Sequence, residues 1–171
     1  MEPLWTPWRM LYILGIRDGA GCIFCEKVLL QDVAQSLVIH RGSHAFVVLN
    51  RYPYTIGHLL VVPYRHVPRL ADLTTDELAE ATTLLQKAER VVEQELRAAC
   101  HHVGINLGHC AGAGVDGHLH IHLVPMQGDS PEPSPAGSSD EPPERLHVTR
   151  ERLARAWQRV AEPSSPHSSN S

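Results

Sequence analysis

The sequence predicts an α+β fold: a meandering antiparallel sheet covered by one long helix, with a second helix near the C-terminus. Three observations predict it. Short apolar runs of strand length recur between turn residues. A capping signal opens one long amphipathic stretch. Near residue 120, histidines alternate with apolar residues at the period of a strand.

The strands come first. Residues 37–39 and 45–49 are β-type runs, and Arg41, Gly42, Ser43 and His44 between them read as a hairpin turn. Residues 50–57 form a loop, and residues 58–63 a third strand. Thr74 and Glu77 then have capping-box spacing, so the Thr74 hydroxyl can cap the Glu77 amide while Glu77 reaches back. The helix they open spans about 75–99, with Leu78, Ala81, Leu85, Ala88, Val92 and Leu96 on one stripe. A fourth strand covers 103–107, a glycine-rich loop 111–114, and a fifth strand 118–124.

Composition changes abruptly after that. Residues 127–145 are Pro, Ser, Gly and acid, which cannot bury enough apolar surface to offset ordering, so this stretch is expected to be mobile. An amphipathic helix at about 149–161 carries Leu153, Trp157 and Val160 on one side. The organisation reads as an N-terminal arm (1–21), a main domain (22–126), a Pro/Ser-rich insert (127–146), a C-terminal helix (147–162) and a tail (163–171). A chain of 171 residues suits one domain with a real core better than two.

Composition excludes some functions. The formal net charge is −4 and the pI about 6.3, which gives no general affinity for nucleic acid or acidic membranes. No apolar run approaches membrane-spanning length. Residues 1–17, with Pro3, Trp5, Pro7, Trp8 and Arg9, lack the order of a secretory signal, so the chain reads as cytoplasmic. In that compartment the four cysteines read as thiols or metal ligands rather than disulfides. Cys22 and Cys25 form C-x-x-C, while Cys100 and Cys110 read as plain buried or half-buried residues. A redox role for Cys22 and Cys25 would normally come with a thioredoxin-like strand–helix context, which the sequence does not show.

The twelve histidines are the compositional oddity. His118, His120 and His122 alternate with Leu119, Ile121 and Leu123, so on a strand the imidazoles share one face and the apolar residues turn to the core. Neighbouring imidazoles repel when charged, so at least some are neutral near pH 7. A neutral imidazole can act as a nucleophile or as a metal ligand, and H-x-H on a strand is also a metal-binding pair. A merely wet, polar face is the blandest alternative. The loop at Ala111, Gly112, Ala113 and Gly114 offers accessible backbone, which could converge with the imidazoles on one anion. His40, His44, His101, His102 and His109 read as surface residues.

The stretch His118 to Val124, H-L-H-I-H-L-V, resembles the signature of the histidine-triad (HIT) family. The resemblance extends over most of the chain. Leu4-Trp5-Thr6-Pro7-Trp8-Arg9-Met10 looks like the arm of bacterial members related to diadenosine tetraphosphate phosphorylases and hydrolases, and Cys22-Ile23-Phe24-Cys25 like their zinc knuckle. Asn50-Arg51-Tyr52-Pro53, Gly57-His58, Val62-Pro63 and His66 are similar to the family's ribose-side loop and third strand. Asn106-Leu107-Gly108 and Ala111-Gly112 are similar to its approach to the triad.

The resemblance implies a histidine-triad fold and a nucleotide hydrolase or nucleotidyltransferase acting on dinucleoside polyphosphates at the α-phosphorus. His120 would be the nucleophile, forming a nucleotidyl-histidine, His122 would hold phosphate oxygens, and His118 would complete the catalytic set. Asn50, His58 and Asn106 would line the substrate pocket, with Ala113, Gly114, Val115 and Asp116 giving backbone contacts to phosphate. Water as second acceptor gives hydrolysis, and phosphate gives phosphorolysis. The resemblance also implies a structural Zn²⁺ on Cys22, Cys25, His66 and His118, no organic cofactor, and a homodimer. Three departures stand out. Gly114 replaces the Gln or Ser of many relatives, which can help the leaving group. The residues after Pro125 differ, and the Pro-rich insert can displace the C-terminal helix. Two other readings remain at this point: a nucleotide-binding module with little turnover, and a zinc metalloenzyme using the triad as ligands.

Overall fold

The computed structural model describes residues 21–30, 36–115, 117–126 and 146–160. The expectations for the N-terminal arm, the Pro-rich insert, the tail, Asp116 and the side chain of His109 lie outside the described residues.

The elements, in order, are α1 (Ile23–Leu29), β1 (Val38–Arg41), β2 (Ala45–Leu49), β3 (Leu59–Pro63), α2 (Thr75–Leu96), β4 (Cys100–Ile105), β5 (Ile121–Met126) and α3 (Leu146–Arg159). The strands make one antiparallel sheet in the order β1-β2-β3-β5-β4. β2 and β3 are buried along their whole length, so their continuous apolar runs suit central strands. The helices α2 and α3 add Ala81, Leu84, Ala88, Val91, Val92, Leu153 and Trp157 to the same core. No helix among the described residues is long and apolar enough to cross a membrane.

The capping box forms as the spacing predicts: Thr74 Oγ1 accepts from the Glu77 amide at 3.3 Å, and the Thr74 amide donates to Glu77 Oε2 at 2.8 Å. Glu77 also accepts two bonds of 2.6 Å from Arg65, so the start of α2 holds the segment leaving β3. This pairing keeps the Glu77 carboxyl at about 2, well below the usual range. A carboxylate with a lowered pKa stabilises the fold fully above its ordinary value, and the contribution fades as pH falls towards 2. Glu77→Gln keeps a capping side chain but loses the charge. It is expected to cost about 1–2 kcal/mol at pH 7. Denaturant titration at pH 7 and pH 2.5 checks this, since the gap between variant and parent must shrink in acid.

Several boundaries and burials depart from expectation. α2 ends at Leu96 rather than near 99, because Arg97 adopts a left-handed conformation with φ 55°. That early stop lets β4 begin at Cys100 rather than 103. The buried stripe of α2 is rotated: Leu84 and Val91 are buried, Leu85 and Leu96 only partly, and Leu78 is 42% exposed. Leu37 precedes β1 with φ 57°. α3 starts at Leu146, three residues early, and buries Leu153 and Trp157 as expected, with Val160 buried just past its end at Arg159. Cys100 and Cys110 are exposed, since β4 is an edge strand and Cys110 sits in a short 3-10 turn. His44 and His102 are exposed, as expected. His40 instead stacks on Trp157 with ring centroids 4.9 Å apart, and the His101 side chain is 9% exposed beside Glu89.

Candidate active site and metal centre

The β5 ladder begins only at Ile121, so His118 and His120 belong to the segment that leads from a turn into the strand rather than to the ladder itself. The approach is anchored from outside: the Leu119 amide donates to the Val67 carbonyl at 2.7 Å. His118 and His120 are 1% and 4% exposed, and His122 is half-buried, so this is no wet polar face.

Hydrogen bonds fix the ring tautomers. His118 Nε2 lies 2.9 Å from the Pro63 carbonyl. A carbonyl only accepts, so Nε2 carries the proton and Nδ1 keeps a lone pair. That Nδ1 faces Cys22 Sγ at 3.3 Å and Cys25 Sγ at 3.7 Å, while Cys25 Sγ lies 3.4 Å from His66 Nδ1. The four ligating atoms of Cys22, Cys25, His66 and His118 all lie within 4.8 Å of one another. A tetrahedral centre with bonds of about 2.3 Å to sulfur and about 2.0 Å to nitrogen has S···N edges of about 3.5 Å. The donor set, its spacing and the orientation of His118 therefore fit a four-coordinate metal. The cysteines do not form a bare knuckle: Cys22 is the N-cap of α1, and Cys25 lies in its first turn. Burial pushes the Cys25 thiol up, with Cys22 adding to the rise.

His120 is turned the other way round. Its Nδ1 donates to the His118 carbonyl at 2.8 Å, which leaves the lone pair on Nε2. Burial lowers the pKa of both His118 and His120 below the usual histidine range, against the opposing effect of the carbonyl each one bonds. His120 is thus a neutral imidazole with a defined acceptor nitrogen. His122 meets it with centroids 4.8 Å apart.

His58 connects the opposite wall to this row. The Tyr54 amide donates to His58 Nδ1 at 3.2 Å, so a neutral His58 carries its proton on Nε2. That Nε2 lies 3.0 Å from His122 Nδ1, and donation there leaves a neutral His122 with an N–H at Nε2. Asn50 supports the arrangement: Oδ1 accepts from the Tyr52 amide at 3.0 Å, and Nδ2 lies 3.3 Å from His58 Nδ1. The structure therefore joins Asn50, His58 and His122 in one network. Asn106 directly follows β4, whose last pair, Ile105 with Ile121, sets it at the His120 end of β5. In the glycine loop, Ala113 and Val115 are buried and Gly114 half-buried. The Ala113 amide donates to the Gly108 carbonyl at 3.3 Å and is already used within the loop. Two neighbours escaped the sequence reading. Tyr54 stacks on His58 at 5.2 Å, and Phe24 packs on His118 and His120. Phe24's place between Cys22 and Cys25 was the signal available for it.

A family model described as HIT domain matches residues 31–129. The chain is 42% identical over 168 residues to an AP-4-A phosphorylase of Mycobacterium tuberculosis, covering 93% of this chain and 86% of that protein. It is 39% identical over 92 residues to an asymmetrical bis(5'-nucleosyl)-tetraphosphatase of Schizosaccharomyces pombe, covering 54% of this chain and 50% of that one. The fold is shared with a Zn-bound histidine triad family protein from Mycobacterium smegmatis, at a TM-score of 0.64 and 22% identity, covering 81% and 94% of the two chains. The chain belongs to the HIT family.

Proposed function

We propose that this chain is an enzyme that cleaves dinucleoside polyphosphates of the diadenosine tetraphosphate kind at the α-phosphorus, through a nucleotidyl-histidine on His120. The observation that carries the reading is the His120 Nδ1 bond to the His118 carbonyl, which leaves a neutral, buried Nε2 as the attacking atom. The Nε2 lone pair forms the N–P bond as the P–O bond to the departing nucleoside polyphosphate breaks, and the bonding pair leaves with that oxygen as a polyphosphate anion. In the second step an oxygen of water or phosphate attacks phosphorus, and the N–P bond breaks to restore His120. His122, held by His58, offers its Nε2–H to a phosphate oxygen, where charge builds in the transition state. Asn50, Asn106 and the loop of Ala113, Gly114, Val115 and Asp116 line the substrate pocket, where the loop backbone meets phosphate.

Product analysis with diadenosine tetraphosphate tests the reading. Hydrolysis at the α-phosphorus gives AMP and ATP, and phosphorolysis gives ADP and ATP. Absence of cleavage with and without phosphate overturns it, and favours a nucleotide-binding module in which Gly114 offers the leaving group no side chain. The metalloenzyme reading finds less support. Among the described residues the metal-capable group takes His118 alone from the triad, and His120 points its N–H at a carbonyl.

The same reading assigns a structural zinc, without an organic cofactor, to Cys22, Cys25, His66 and His118, and places the enzyme in the cytoplasm, where thiolates persist. It keeps 22–126 as the catalytic domain, between the arm (1–21) on one side and the Pro/Ser-rich insert, α3 (Leu146–Arg159) and the tail (163–171) on the other. It also makes the enzyme a homodimer. β4 is an edge strand with Val103 48% exposed, and exposed Leu78 lies on α2, which suits pairing across both. Sedimentation equilibrium at micromolar concentration is expected to give twice the chain mass, and a monomer contradicts this.

A further inference from the structure

Phe24 lies on α1 between the two cysteines and is 2% exposed. Its ring meets His118 edge-on, with centroids 5.4 Å apart and planes at 75°. It meets His120 at 5.1 Å and 49°. These are the two residues joined by the His120 Nδ1 bond to the His118 carbonyl. One hydrogen bond fixes one atom of an imidazole and its tautomer, but leaves the ring free to pivot about that contact. Two ring contacts restrict the pivot, His122 at 4.8 Å and Phe24 at 5.1 Å. An aliphatic side chain could fill the same volume. An aromatic ring adds a contact whose energy depends on the angle between the planes.

We propose that Phe24 is a positioning residue that sets the attack direction of His120, so that the cysteine-bearing helix aims the nucleophile as well as holding the metal. The inference rests on the reading of His120 as nucleophile. In-line attack at phosphorus tolerates little error, and a displacement of about 1 Å can cost about 100-fold in rate. Phe24 touches no reacting atom in this role, and acts only through the plane of the His120 ring.

The test uses the full-length, metal-loaded protein and its Phe24→Leu, Phe24→Met and Phe24→Tyr variants. Four quantities are measured: the single-turnover rate of label transfer from diadenosine tetraphosphate to protein, KM, bound zinc, and the NMR signals of the His120 ring. Phe24→Leu is expected to slow label transfer and kcat by about 10–100-fold. KM should stay within about twofold, zinc should stay stoichiometric, and the His120 ring signals should shift or broaden. Phe24→Tyr, which keeps the ring, should recover most of the rate. Phe24→Met, close in volume and flexible, should behave like Phe24→Leu, and decides the matter if Phe24→Leu does not fold. Label transfer at the parent rate in the folded variants overturns the positioning role. So does a raised KM with unchanged kcat, which marks a substrate wall, or a rate lost in step with zinc. A parent protein that takes no label overturns the nucleophile reading itself, a result distinct from any of these.

Discussion

Replacing His120 by alanine is expected to lower turnover of a dinucleoside polyphosphate by at least about 1000-fold while leaving the fold and nucleotide binding in place. The ring is buried, yet its removal strands little: among the described residues its hydrogen bond ends on the His118 carbonyl. The candidate metal site lies away from it, because His118 turns Nδ1 to the cysteines and Nε2 to Pro63. Activity and architecture should therefore separate in this variant. The pH profile supplies a second check. Protonation removes the Nε2 lone pair, so kcat/KM must fall as pH falls. Burial holds the His120 pKa below the usual histidine range, so that fall should lie below about 6.5. Steady-state kinetics of parent and variant, with nucleotide binding measured separately, check both statements.

Cys22→Ser should do the reverse, losing metal and stability first and activity only in consequence. Cys22 is the N-cap residue of α1 and faces His118 Nδ1 at 3.3 Å, while His66 lies beyond β3, so an ion held by all four residues would tie the N-terminal segment to the sheet. Removing one thiolate from a four-ligand site is expected to cost about 3 kcal/mol, which for a chain of this length lowers Tm by roughly 6–12 °C. Because the ligands must be deprotonated, zinc should also leave the parent protein in acid. Calorimetry with and without chelator checks the source of the loss. Chelator must bring the parent down towards Cys22→Ser and leave the variant unmoved. Equal melting of parent and variant contradicts the zinc assignment.

Much of this architecture was legible because local chemistry and tertiary structure agree. The Thr74–Glu77 box, the central runs 45–49 and 59–63, and the apolar side of α3 each needed only spacing or composition. The histidine row was legible by its period, although the ladder itself starts at Ile121. What escaped depends on contacts distant in sequence. The stop of α2 rests on Arg97 in a left-handed conformation, which an arginine does not announce. The rotation of the α2 stripe towards Leu84 and Val91 follows from its packing against the sheet and α3. His40 reads as polar surface until Trp157 from α3 arrives to stack on it. The tautomers of His118 and His120 are set by the carbonyls of Pro63 and His118, which no side-chain pattern encodes. The grouping of Cys22, Cys25, His66 and His118 came from family resemblance, since spacing alone gave only the cysteine pair.

The central claim is that His120 carries the nucleotidyl group. The most direct measurement mixes parent protein and His120→Ala with diadenosine tetraphosphate labelled in its α-phosphates, quenches within one turnover, and maps protein-bound label by peptide. The account predicts acid-labile label on the peptide containing His120 in the parent and none in the variant. Label on another residue, or cleavage by the parent with no protein-bound label at any time, contradicts it.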